Sequence, residues 1–291
     1  MPSSPAPSRH SLPGRGAALL ALSALFFALM GVFIREATLS NVNNEMVVFF
    51  RNAVGVLFFL PLALTRGLAP LRTARPLAHL KRTLCGLAAM YCYFYALAHL
   101  PLTDAMLFSY AAPVFTPLIA WRWLQEPLTR RMLLATAIGF AGVLLVAKPS
   151  GALVSGISLV GILASVMAAC AFVSIREMSN TEPAYRIVFY FALFSALISA
   201  VPLLWAWQPL ERDQLLLLLA AGLMASLGQL SMSQAYACAP PGLIGPVAYL
   251  AIVFGGIIAW LRWDELPSSA SLLGAGLIFA ASLTPLLRRS P

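Results

Sequence analysis

Residues 110–126 read YAAPVFTPLIAWRWLQE, and residues 249–265 read YLAIVFGGIIAWLRWDE. At a shift of 139 the two stretches agree at eight of 17 positions: Tyr110/Tyr249, Ala112/Ala251, Val114/Val253, Phe115/Phe254, Ile119/Ile258, Ala120/Ala259, Trp121/Trp260 and Glu126/Glu265. The same shift pairs Ala96 with Ala235, Pro101 with Pro240, Leu133 with Leu272 and Phe140 with Phe279. A shift of 141 pairs Ile34-Arg35-Glu36 with Ile175-Arg176-Glu177. An apolar composition yields chance matches of Leu and Ala, but not readily a gapless one that includes Tyr, Trp, Pro and Glu. The chain is written twice.

The repeated stretches lie in a sequence of 291 residues that is 60% hydrophobic and only 10% charged, with a mean hydropathy of +0.86. Soluble domains carry about 25% charged residues, so a soluble globular protein is excluded. A spanning helix needs about 20 mostly apolar residues. Uncharged stretches run 17–34, 46–65 (with Arg51 inside), 83–103, 105–121, 132–147, 149–175, 187–210, 214–261 and 266–287. The 48 residues of 214–261 are too long for one helix and contain Ala239-Pro240-Pro241-Gly242, a strong breaker. Divided there, the chain has ten spans and no room for a soluble domain. Residues 1–16, rich in Ser and Pro, read as a disordered tail.

Lys and Arg concentrate on the cytoplasmic side of membrane proteins. With the N-terminus inside, alternating loops place 14 bases inside, among them Arg75, Lys81, Arg82, Arg176 and Arg186, against 4 outside (Arg35, Lys148, Arg212, Arg262). Both termini then face the cytoplasm, and the net charge of +9 needs no nucleic-acid partner. The six tryptophans sit at span ends, as interfacial anchors do. The four cysteines (Cys85, Cys92, Cys170, Cys238) fall in apolar runs without CxxC spacing, so neither a disulfide framework nor a zinc site is expected.

Five spans per half is an odd number, so the second half enters the membrane from the opposite face. The expected fold is an all-α membrane protein of ten transmembrane helices in two inverted five-helix repeats. Inverted repeats are a plan of secondary transporters, whose substrate site lies near the midplane where the repeats meet.

Tyr93-Phe94-Tyr95-Ala96-Leu97 with Leu100-Pro101, the Ala112-Pro113 step, Glu126-Pro127 and the run Gly139 to Val146 resemble the EamA-type domain of the drug/metabolite transporter superfamily. The resemblance covers about 17–287 as two copies, with boundaries at 17–148 and 149–288. It implies a ten-helix metabolite carrier with cytoplasmic termini, in many members an exporter. It further implies that helices 1, 3, 4, 6, 8 and 9 line the cavity and that helices 5 and 10 brace it. Within the superfamily the aromatic-rich cavity helices resemble the YddG-type amino-acid exporters; carriers of S-adenosylmethionine share much of the pattern.

Polar residues inside a span are costly and mark candidate sites. In span 8, Ser226, Gln229, Ser233 and Tyr236 share one helix face, whereas the aligned face of span 3 is Leu87, Met90, Phe94 and Leu97. Span 3 adds Tyr91 and Tyr95, and Tyr110 and Tyr249 occupy matched positions in spans 4 and 9. These eight residues are the candidate substrate wall; the competing role for Ser and Gln is to bond neighbouring helices. Pro113, Pro117, Pro246 and the pair Gly255-Gly256 are candidate gating bends, since proline removes a helical hydrogen bond, or else static kinks. Ala135, Gly139 and Gly142, with the matched Gly274 and Ala281, form a small-residue face suited to close helix packing. A monomer is expected, with a homodimer through that face as the alternative. Arg51, alone inside a span, reads as snorkelling or pairing with Glu45 rather than as a substrate contact.

No Asp or Glu lies at a span centre, which removes the central part of a proton exchanger and predicts facilitated transport without a cofactor. The three histidines are scattered, and there is no HExxH motif or buried acid pair. An intramembrane enzyme, which needs clustered nucleophiles, acids or metal ligands, is therefore disfavoured.

Overall fold

The computed structural model describes residues 12–99, 108, 110–148, 156–264, 266 and 268–284, and within them the chain is helical throughout, without strands. Among the described residues ten longer helices follow one another. They are α1 Pro13–Leu39, α2 Asn44–Phe58, α3 Pro76–His99, α4 Ala112–Leu124, α5 Arg130–Ala147, α6 Gly156–Met178, α7 Ala184–Ser199, α8 Arg212–Cys238, α9 Leu250–Trp263 and α10 Ser269–Leu283. Among the described residues six segments are long and apolar enough to cross a membrane: α1, Asn44–Arg66, α5, α6, α8 and Pro241–Arg262. The helices α7 and α10 are equally apolar but, at 16 and 15 residues, shorter.

Several boundaries differ from the sequence reading. Helix α1 begins at Pro13, not at residue 17, because proline is well suited to the first helical position. Its first turn packs on α8, where a Cβ at Gly16 would stand 2.9 Å from that of Ala239. Helix α3 begins at Pro76 rather than 83, so Lys81 and Arg82 lie inside a helix and not in a loop. Helix α2 stops at Phe58, and the short helix Leu60–Arg66 restarts at Leu60-Pro61. The expected break after α8 is present. Pro241–Ile244 and the 3-10 turn Gly245–Tyr249 separate α8 from α9.

The repeat has local structural echoes. Thr129 caps α5 by accepting from the Met132 amide at 3.3 Å, and Ser268, 139 positions on, caps α10 by accepting from the Ser271 amide at 3.2 Å. Such caps satisfy amides left free by the first turn. Gln125 and Asp264, again 139 apart, close α4 and α9 in the left-handed conformation, with φ 57° and 54°.

Packing partners follow the same exchange. Helix α1 lies along α8 and α3 along α6; α9 packs on α1 and α4 on α6; α2 packs on α7 and α5 on α10. Exchanging α1–α5 with α6–α10 maps these pairs onto one another or onto themselves. The α1–α8 pair is antiparallel: Leu12 N–H donates to Cys238 O, Ser23 Oγ to Gly228 O, and Gln214 Nε2 to Ser40 O. In lipid, apolar burial gives helices little reason to associate, so close van der Waals fit and interhelical hydrogen bonds carry the packing. The α5–α10 pair has that fit. A Cβ at Gly142 would fall 2.6 Å from the Gly274 carbonyl, and one at Gly139 would fall 3.3 Å from the Ala281 Cβ. The small-residue stripe is thus occupied within the chain. The main core, with Leu20, Val143, Ile175, Tyr236, Tyr249 and Ile278, joins both halves.

Candidate functional site

Helices α2, α7 and α8 enclose a small cavity lined by Arg51, Asn52, Phe191, Ala225, Ser226 and Gln229, among others. Local sequence explains the space. Gly55 lets α2 approach α7, since a Cβ there would meet Ala192 at 2.9 Å, and Gly222 admits the Val54 side chain against α8. Asn52 Nδ2 is tied to Val48 O on its own helix, and Ser226 Oγ to Gly222 O.

Behind this lining lies Arg82 of α3, only 3% exposed. Its Nη2 donates to Gln229 Oε1 at 3.0 Å, and its guanidinium lies 3.6 Å from the centroid of the Phe191 ring. Gly86, one turn along, leaves the room, because a Cβ there would press on Arg82 Nη1 at 3.0 Å. Arg51 Nη1 contacts Met90 Sδ at 3.7 Å. Arg51 Nε and Arg82 Nε and Nη1 are buried without a hydrogen-bond partner. Among the described residues, no carboxylate pairs with either arginine.

The two ends of the bundle are closed differently. At the end holding the start of α1, Arg176 Nε donates to Glu126 Oε1 at 2.9 Å, and its Nη1 to the Tyr236 and Ala237 carbonyls. Trp123 Nε1 donates to Glu177 Oε2 at 3.0 Å, Arg75 lies 3.6 Å from Glu177, and Lys81 sits over the Trp123 ring. Glu182, on the α6–α7 turn, accepts from Thr73 Oγ1 and Arg186 Nη1 and lies 3.8 Å from His79 Nε2. Burial pushes the Glu182 carboxyl up, but the Thr73 hydroxyl, Arg186 and His79 outweigh it and hold it below the ordinary value. At the other end, neutral bonds dominate: Asn43 to Gln208 and the Ala206 carbonyl, and Gln208 to the Asn41 carbonyl. The one ion pair there among the described residues with a measured distance is Arg262–Glu36 at 3.3 Å, and Arg262 is 64% exposed.

The sequence candidates separate into groups. Gln229 and Ser226 line the cavity. Ser233 and Tyr236, further along α8, are buried outside it, Tyr236 against Phe172. Tyr249 is buried against Gly139, and Tyr110 packs on the main core. Tyr91 and Tyr95 are 42% and 49% exposed on α3, Tyr95 stacked on His99. Pro113 occupies the first turn of α4 and Pro117 its interior, facing Gly242; Pro246 lies in the 3-10 turn before α9. Nothing lies within 4 Å of a Cβ built at Gly255 or Gly256, so close packing does not require glycine there. Arg51 faces the cavity rather than Glu45. Glu265, Leu100 and Pro101 lie outside the described residues. Arg82 was missed because a base before an apolar run reads as loop. The signal for it is the i, i+4 row Arg82, Gly86, Met90, in which glycine makes space beside the charge.

Comparison with known proteins agrees with this architecture. The model of the EamA-like transporter family matches twice, over residues 14–148 and 155–285. The pseudopaline exporter CntI of Pseudomonas aeruginosa (strain UCBPP-PA14) is 34% identical over 271 residues, covering 92% of this chain and 94% of its own. The S-adenosylmethionine uptake transporter of Rickettsia bellii (strain RML369-C) is 27% identical over 237 residues, 81% of each chain. A solved crystal structure shares the fold with a TM-score of 0.81 at 18% identity, over 94% of this chain and 97% of that one. The chain is therefore a multi-pass membrane transporter, not an enzyme, and it belongs to the EamA-like transporter family.

Proposed function

We propose that this chain exports small zwitterionic metabolites, amino acids among them, across the inner membrane by alternating access between two inverted five-helix halves, 17–148 and 149–288. The observation that carries the reading is the small cavity between α2 of the first half and α7 and α8 of the second, in whose mainly apolar wall stand Arg51, Asn52, Ser226 and Gln229. A carrier site at the junction of two repeats serves both faces without being rebuilt. The exchangeable packing pairs and the caps at matched positions support the inverted halves. The end with Glu126, Arg176 and Glu182 is the cytoplasmic one, both termini lie there, and the protein works as a monomer. Gln229, Ser226, Ser233, Tyr236, Tyr91, Tyr95, Tyr110 and Tyr249 remain the proposed wall, with Gln229 and Ser226 the two that touch this cavity. Pro113, Pro117, Pro246, Gly255 and Gly256 are the proposed bends. Transport is facilitated in this proposal, since no carboxylate lines the cavity among the described residues, and no cofactor is invoked.

Counterflow of radiolabelled leucine, phenylalanine and glutamate into proteoliposomes tests this. Exchange of at least one of them, reduced about tenfold or more in Gln229→Ala, is expected; a single lost hydrogen bond to a charged group has that magnitude. Absence of exchange for every amino acid tried would sink the reading. Collapse of transport when the proton gradient is dissipated would sink the uncoupled version. The relatives that take up S-adenosylmethionine favour a second reading, and the same assay with labelled S-adenosylmethionine decides between them.

A further inference from the structure

Arg51 on α2 lines the cavity, Arg82 on α3 stands behind the lining residues Gln229 and Phe191, and no acid among the described residues answers either guanidinium. A buried charge without a partner is strongly unfavourable, and proteins keep charges buried by pairing them or binding something to them. The neutral contacts present do not suffice. Arg82 has Gln229 Oε1 and the Phe191 face, Arg51 has a thioether, and three of their nitrogens have no acceptor. The two like charges also repel each other across the site. The lining residues otherwise offer amide, hydroxyl and apolar groups, Asn52, Ser226 and Gln229 among them, and nothing anionic to take an ammonium group. A zwitterion with one carboxylate would answer one arginine and leave the other unpaired.

We propose that Arg51 and Arg82 form a dianion site, and that the molecule bound beside Gln229, between α2, α7 and α8, carries two carboxylates. The two cations come from different helices, so they present two separate forks rather than a single one, and each fork matches a carboxylate in bidentate geometry. Gln229 Oε1 takes one of the two Nη2 hydrogens of Arg82; the other, with the unpartnered Nε or Nη1 beside it, leaves a fork for the ligand. Phe191 stacks beneath the Arg82 guanidinium and fixes its plane. The inference rests on the carrier reading and narrows its substrates to acidic amino acids and related dicarboxylates.

The test uses the full chain in lipid nanodiscs. Binding of succinate, glutamate, leucine and inorganic phosphate is measured at equilibrium for wild type, Arg82→Met, Arg51→Met and Arg82→Lys. Counterflow of leucine and glutamate is measured in proteoliposomes alongside. Succinate and glutamate are expected to bind more tightly than leucine or phosphate. Arg82→Met and Arg51→Met should each weaken succinate by about 30-fold or more, the loss typical of one partner in a desolvated charge pair. Arg82→Lys should recover part of that loss. Ligand-free Arg82→Met should unfold at a higher temperature than wild type, because an unpaired buried charge is gone; a merely structural arginine would give the opposite shift. Four results each overturn the site: no succinate or glutamate binding, leucine binding as tightly as succinate, phosphate binding more tightly than either dicarboxylate, or succinate affinity unchanged in both methionine variants. Leucine counterflow without dicarboxylate binding overturns the site and leaves the carrier standing. Tight succinate binding without counterflow of any probe overturns the carrier and leaves the site.

Discussion

The two ends of the bundle carry residues at matched positions of the sequence repeat, yet they are held by different chemistry. Trp123 and Arg262 stand 139 positions apart, and Glu177 and Glu36 stand 141 apart. At one end the indole Nε1 donates to Glu177 within a web that includes Arg75, Lys81, Arg176 and the buried Glu182 cluster. At the other, the Arg262 guanidinium reaches Glu36 from the surface, beside amide-to-carbonyl bonds. A shared backbone plan therefore does not impose equal closures. Removing one partner of a buried ion pair strands a charge and is costly, while an exposed pair is lost with little effect, so the end with Glu182 is the more sensitive to losing a partner.

The largest expected effect comes from Arg186→Met, which leaves Glu182, itself only 3% exposed, with Thr73 and His79 alone. Breaking such a buried pair costs about 3–5 kcal/mol, read as a lower unfolding temperature in detergent. A wild-type-like melt would dissolve the contrast between the ends. Acid should act on the same cluster. The folded-state value of Glu182 lies below that of the unfolded chain, about 4.3, so its ionised form stabilises the fold at higher pH. That contribution disappears as pH falls through the lowered value. Wild type should lose stability there more steeply than Glu182→Gln, and parallel pH profiles would contradict the assignment. Arg176→Met removes charge-assisted bonds that are half-buried and should cost about 1.5–3 kcal/mol. Arg262→Met, at the exposed pair, should fall within about 0–1 kcal/mol of wild type. A loss as large as that of Arg186→Met would show the two ends to be equals.

How much of this was written in the chain differs by scale. The repeat, the break at Pro240-Pro241 and the hydroxyl caps Thr129 and Ser268 are local or periodic features, and a one-dimensional reading finds them. Gln229 and Ser226 were legible because polar groups on an apolar helix need a reason. Arg82 was not, because its role depends on α3 packing between α6 and α7 so that its seventh residue faces inward. Tyr91 and Tyr95 mislead for the converse reason. Their i, i+4 pairing says that they share a face of α3, but not which face the neighbouring helices leave uncovered. The charge tally counted Arg82 as loop and Arg51 as a snorkelling exception, although Arg51 lines the cavity and Arg82 bonds Gln229 of its wall.

Arg176 has a consequence for how force travels through the molecule. The carbonyls of Tyr236 and Ala237 would ordinarily receive the amides of residues 240 and 241, but both are prolines and have none to give. A side chain from α6 makes those two bonds instead and grips Glu126 beyond the end of α4 with the same guanidinium. The terminus of α8 is thereby spliced to two other helices by a single planar group. Parting α4 from α6 must break the Arg176–Glu126 pair, and drawing α8 away from α6 must break both carbonyl bonds, so this one side chain resists movement of either helix, two turns from Gln229.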